Sequence, residues 1–158
     1  TKNALIKYIK KFENDLVDMG GIFDVYVLGG TAAISEAVVN ELIYAIESEF
    51  EALDVRAIRL GGANRYETAV KIAEKIIDIN DLYYGNEVIF ASGENYPDAL
   101  SAAPYAMYEE MPILLTGGDK LPECVVDFLK DLGKDFGKEN FDALVVGGAN
   151  AVSENVLS

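Results

Sequence analysis

The chain has 158 residues, 51% of them apolar and 25% charged, which is globular rather than disordered composition and suits one compact domain over 1–158. Its 13 basic and 27 acidic residues leave a formal charge of −14, which repels nucleic-acid backbones and anionic membranes and argues against both as partners. Histidine is absent and Cys124 is the lone cysteine, which removes the commonest general base and metal ligand, an internal disulfide and a Cys–His nucleophile. Neither a metal site nor a cofactor is therefore expected, and Cys124 reads as a small apolar packing residue. No apolar run approaches the roughly 18 residues of a membrane helix. The N-terminal residues form a helical pattern, with no basic–apolar–small leader in view.

In chain order, Leu5, Ile6, Ile9, Phe12 and Leu16 mark a first helix. A strand follows at Asp24–Leu28, then Gly29-Gly30 and a second helix on Ile34, Val38, Leu42, Ala45 and Ile46. The strand Val55–Leu60 leads into Gly61-Gly62 and a third helix on Val70, Ile72, Ala73, Ile76 and Ile77. Glu87–Ala91 is the third strand and Ala99, Leu100, Ala103 and Met107 mark the fourth helix, where Pro104 should kink or shorten it. Pro112–Thr116, a fifth helix on Val125, Phe128, Leu129 and Leu132, and the strand Asp142–Val146 complete the series. Short, continuously apolar strands alternating with helices predict an α/β fold. The architecture expected is a three-layer open parallel sheet with helices on both faces, Rossmann- or flavodoxin-like, with the strand order left open.

Capping chemistry supports the helix starts. Asn64 and Glu67 have capping-box spacing, and Ser35 and Ser153 each precede a glutamate, as an N-cap does. Pro97 and Pro122 fit a first helical turn, where a missing N–H costs nothing.

Residues 24–40 and 142–158 align without a gap. They are identical at Asp24/Asp142, Val27/Val145, Gly29/Gly147, Gly30/Gly148, Ala33/Ala151, Ser35/Ser153, Glu36/Glu154 and Val38/Val156. Residues 1–54 thus read as the closing half of one repeat unit and 55–158 as most of a second. Such repeats serve as modules that are incomplete alone.

The second unit carries, in order, G-x-x-R-Y-x-T-A at Gly62–Ala69, Y-P-D-A-L-S-A-A-P at Tyr96–Pro104, P-I-L-L at Pro112–Leu115 and G-G-x-x-x-[IV]-S at Gly147–Ser153. The last motif also occurs at Gly29–Ser35. This ordered series closely resembles the cell-wall-binding repeat 2 family of bacterial and archaeal surface proteins, over essentially the whole chain. The resemblance implies a non-catalytic, extracellular module at the cell wall that anchors a surface protein to an anionic wall polymer or glycan. It also implies three tandem copies packed together, so further copies of the module are expected partners. The family's P-I-L-L segment maps to Pro112, Ile113, Leu114 and Leu115, which the resemblance links to polymer attachment. Two features depart from the pattern: about one and a half units stand in place of three, and the charge is strongly negative.

The residues themselves offer a second route to a site. In an open parallel sheet, ligands collect beyond the carboxyl ends of the strands. There Gly29, Gly30, Gly62, Gly93, Gly147 and Gly148 would let a ligand approach the backbone, and helix N-termini could receive an anion without a lysine. Glycines of tight strand-to-helix turns serve the fold equally well. Arg65, a cation in a first helical turn, opposes the helix dipole and calls for a partner. Asp98 is the one expected, in a structural ion pair or at a ligand. Tyr66, Tyr96 and Tyr105 could stack on sugar rings or cover the core. Two other functions fit the same residues: a self-associating surface-layer scaffold, and an α/β enzyme binding a phosphorylated ligand at the Gly-Gly turns, with Glu94 and Asp98 as its carboxylates.

Overall fold

The computed structural model describes residues 2–18, 20–79, 87–136 and 142–156, and the chain divides into two compact units between Gly61 and Gly62. In the first, helix α1 (Lys2–Asp18), strand β1 (Ile22–Leu28), helix α2 (Glu36–Glu47) and strand β2 (Asp54–Leu60) follow in order. A pair of glycines closes α1. Gly21 N–H reaches Leu16 O at 2.9 Å and Gly20 N–H reaches Val17 O at 3.0 Å, with φ of 70° and 108°, the left-handed cap that glycine enters without a Cβ penalty. Ser35 caps α2, its hydroxyl accepting from Val38 N–H at 3.4 Å. Strands β1 and β2 pair in parallel, Ile22 opposite Asp54 and Leu28 opposite Leu60. Ile9, Ile46, Phe50, Leu53 and Val55 form the core of this unit.

The second unit holds α3 (Arg65–Ile79), β3 (Glu87–Ser92), α4 (Tyr96–Tyr108), β4 (Ile113–Thr116), α5 (Glu123–Phe136), β5 (Asp142–Val146) and a single 3-10 turn at Glu154–Val156. Its three strands are parallel in the order β4-β3-β5. The central strand is buried on both faces, as a continuous apolar run requires. Val88 and Phe90, with Leu114, pack against Val70 and Ala73 of α3 and Val125, Phe128 and Leu132 of α5. Ile89 points the other way, onto Ala102 and Ala106 of α4 and onto Met111.

The α/β class and the strand positions are as expected from the sequence, but the single open sheet is not. Among the described residues the strands form two separate parallel sheets, of two and three strands. An apolar run specifies burial and leaves open which strand lies beside it. Pro104 does not cut α4 short: the helix runs on to Tyr108 and closes through Glu110 at φ 58°, with Met111 N–H on Ala106 O at 3.0 Å. Pro122 stands one residue before α5, its carbonyl accepting from Val126 N–H at 3.1 Å, while Pro97 lies inside the first turn of α4. The last two positions of the repeat alignment, Leu157 and Ser158, lie outside the described residues.

The repeat is also a repeat of shape. Gly29 and Gly147 have φ of 122° and 123°. Ala33 and Ile34 N–H converge on Gly30 O at 3.0 and 3.1 Å, and Ala151 and Val152 N–H converge on Gly148 O at 2.8 and 3.1 Å. Gly61 crosses the first turn so closely that a Cβ there would lie 2.7–2.8 Å from backbone atoms of Gly29 and Gly30, whereas one on Gly148 would meet nothing within 4 Å. Gly61→Ala is expected to cost about 1–3 kcal/mol of stability through overpacking, and Gly148→Ala less than about 0.5 kcal/mol. Urea unfolding of both variants checks the contrast.

Candidate functional site

The carboxyl edge of the three-stranded sheet gathers most of the residues singled out from the sequence. Helix α3 starts there under a dense cap. Asn64 Oδ1 accepts from Tyr66 N–H at 2.9 Å and Glu67 N–H at 3.0 Å, Glu67 Oε2 accepts from Ala63 N–H at 2.8 Å, and Thr68 Oγ1 accepts from Gly62 N–H at 3.0 Å. The capping box forms as its spacing predicts, with the glutamate reaching the residue before the cap. This cap places Arg65 and Tyr66 over the end of β3.

Arg65 does not meet Asp98. Its guanidinium donates to Gly93 O at 2.5 Å, and no ion pair joins it to a carboxylate among the described residues. A carbonyl just beyond β3 supplies the compensation that the helix-start cation needs. Asp98 instead lies over the last glycine pair, its Oδ2 only 2.7 Å from where a Cβ on Gly147 would stand. The Tyr66 ring rests on Gly93, where an added Cβ would come within 2.4 Å of it, and Gly62 is covered in the same way by Glu67. Gly62, Gly93 and Gly147 therefore each accommodate a side chain of this protein. Gly29 and Gly30 lie in the first unit under Gly61, and Gly148 faces open space.

Two acids tie the loops of this edge together: Asp119, to which the sequence reading gave no role, and Glu94, which it weighed only as a catalytic carboxylate. Glu94 Oε1 accepts from Gly118 N–H at 3.3 Å, and Asp119 Oδ1 accepts from Ser153 Oγ at 3.2 Å and Asn155 Nδ2 at 2.9 Å. Gly93 N–H on Thr116 O at 2.8 Å and Ser153 N–H on Gly118 O at 3.0 Å complete the lacing. The signal for both acids was present as an acid directly after a glycine turn, in S-G-E and G-G-D. Of the two carboxylates considered above as catalytic, Glu94 thus has a structural use, while Asp98 packs against Gly147.

The P-I-L-L segment divides by strand alternation. Pro112 and Leu114 are fully buried, while Ile113 and Leu115 line an apolar cleft of about 590 Å³ with Ile72 and Ile76 of α3 and Ala103 and Met107 of α4. Beside it, α4 exposes an apolar face: Tyr96 is 79% exposed, Leu100 68% and Tyr108 81%. Tyr66 is half-buried over Gly93, whereas Tyr96 and Tyr105 stand in solvent instead of covering the core. Cys124 packs at the margin of the core formed by Val70 and Phe128. Burial pushes its thiol above its ordinary pKa, helped by the charges of Glu67 and Asp127, so it behaves as the packing residue expected.

Strand–glycine–helix turns, repeated in sequence and in shape and laced at one edge by short polar loops, define a repeat-built α/β module. Residues 59–157 match the family described as cell wall binding domain 2 (CWB2), and the chain belongs to that family. It is 35% identical over 100 residues to the N-acetylmuramoyl-L-alanine amidase LytC of Bacillus subtilis (strain 168), a match that covers 63% of this chain and 18% of the amidase. It is 30% identical over 133 residues to the amidase enhancer of the same organism, covering 84% of this chain and 15% of that protein. Among solved structures it resembles Cwp6 from Clostridium difficile, with a TM-score of 0.69 and 26% identity over 91% of this chain and 20% of the other. Cwp8 from the same organism gives 0.62 and 26% over 87% and 19%. The chain therefore spans about a fifth or less of the length of these relatives. No helix among the described residues is long and apolar enough to cross a membrane.

Arg65→Ala is expected to cost about 1.5 kcal/mol through the lost charge-assisted bond to Gly93. In a double-mutant cycle its coupling to Asp98→Asn should stay below about 0.5 kcal/mol; a larger coupling would restore the ion pair. A raised pKa leaves less thiolate at any given pH, so native Cys124 should react with iodoacetamide at pH 8 more slowly than in the urea-unfolded chain.

Proposed function

We propose that this chain is a non-catalytic wall-binding module that holds a surface protein to an anionic polymer of the cell envelope, outside the cell. The observation that carries the reading is the family match across residues 59–157. The amidase and its enhancer share with this chain segments that are small fractions of their own lengths, which suits a module joined to different activities.

The chemistry of the surface bears on how the polymer would be held. Glu94, Asp98 and Asp119 lie in the turns and first helical turn that follow β3 and β4, and the N–H groups of Tyr66 and Glu67 at the start of α3 are already taken by Asn64, as those of Gly62 and Ala63 are by Thr68 and Glu67. A bare polyanion gains little there, so the contact is to sugar faces or through a bridging cation. Tyr96 and Tyr105 give α4 the exposed aromatic rings that sugars stack on. Ile113 and Leu115 are the members of the P-I-L-L segment open to a ligand, while Pro112 and Leu114 act by fixing the strand.

Co-sedimentation with isolated envelope polymer, with and without a divalent cation, tests the reading. Saturable binding is expected, stronger with the cation and weakened at least about fivefold by Tyr96→Ala, the loss typical of an anchoring contact side chain. Absence of binding to every envelope fraction under both conditions would overturn it.

A further inference from the structure

Helix α4 ends on an acid where glycine fits the backbone best. Met111 N–H reaches back to Ala106 O at 3.0 Å, and Glu110, the residue before it, has φ 58°. In this closure the left-handed residue is most often glycine, and the residue after it packs on the last helical turn. Met111 and Ala106 share one core cluster with Ile89 and Ala102, as the closure requires. Glu110 is the one non-glycine residue at positive φ among the described residues. A side chain held there crowds its own backbone, and such outliers gather at sites that use the side chain they carry.

What Glu110 faces gives that side chain a use. It lines the cleft of about 590 Å³ between α3 and α4, where every other lining residue is apolar. The half-buried Ile113 and Leu115 of β4 form the floor, and Ile72, Ile76, Ala103 and Met107 form the walls. Glu110 is exposed, which sets its carboxylate at the mouth. The volume falls within the range of about 300–1,000 Å³ usual for small-molecule sites, which are apolar pockets with a few polar groups.

We propose that this cleft binds a small amphiphile with an alkyl body and a cationic head, the body on Ile113 and Leu115 and the head at the Glu110 carboxylate. The lining decides between ligand classes. A sugar or a phosphate would meet one polar group there, and that group is negative; polar atoms buried without partners weaken binding. A neutral hydrocarbon would strip water from the carboxylate and return nothing to it. A cationic amphiphile meets both demands. Its body leaves water against the isoleucines, and its head pairs with Glu110 beside an apolar wall, where opposite charges attract more strongly than in bulk water. The chain's charge of −14 also draws cations towards its surface. The inference stands apart from wall binding, because it needs no envelope component.

The test uses the full chain with isotope-labelled methionine methyl groups, titrated with n-decylammonium or decanoate below their micelle concentrations. Decylammonium should shift the Met107 and Met111 signals saturably and bind at least about tenfold more tightly than decanoate, the difference one charge-assisted contact makes. Octylammonium should bind about 10- to 15-fold more weakly than decylammonium, as two fewer buried methylenes require. Glu110→Lys should reverse the preference towards decanoate. Ala103→Trp, at an exposed position of the cleft wall, should abolish both titrations and leave the circular dichroism spectrum unchanged. Glu110→Gly should melt no lower than the parent chain and lose the preference for the ammonium. No saturable shift, equal affinity for the two probes, a preference that survives Glu110→Lys, or binding that survives Ala103→Trp would each overturn the proposal. So would a Glu110→Gly chain that melts lower, which would give the acid to the helix end. Met107 and Met111 signals that move with protein concentration alone would overturn it too, by making the cleft a contact between chains.

Discussion

The second unit depends on β3 being covered on both faces. A strand with Val88 and Ile89 wholly buried on opposite sides can exist only if helices close over each face at once, because every exposed apolar surface would forfeit about 25 cal/mol per Å². From that requirement follows the position of everything at its carboxyl end. Gly93 has to leave the sheet between two crowded layers. Tyr66 then fills the space above it and Arg65 takes up its carbonyl, and the loops after β4 and β5 are drawn close enough for Glu94 and Asp119 to lace them. The acidic edge is thus a by-product of closing a buried strand.

Local signals were legible in the sequence to within a residue or two. The five strands begin and end near their apolar limits, and the Asn64–Glu67 box and the Ser35 cap form as their spacing predicts. Pairings between distant segments were not legible. Nothing in the run from Asp24 to Leu28 says that β2 rather than a larger sheet will adjoin it, because partner choice is decided by tertiary packing. Arg65 failed for the related reason that its requirement, a negative end near a helix start, is satisfied by a carbonyl as well as by a carboxylate. A side chain's need can be read from its place in a helix, whereas the atom that meets it depends on how the neighbouring turn is folded.

Glycines that invite a phosphate-cradle reading are used here for close packing. Gly61 lies against backbone, Gly62 against Glu67 and Gly93 against Tyr66; each gap a ligand would need is filled by the protein. This agrees with membership of a wall-binding family better than with a nucleotide enzyme, and it moves attention from the turns to the exposed ring of Tyr96 and the half-open strand at Ile113 and Leu115.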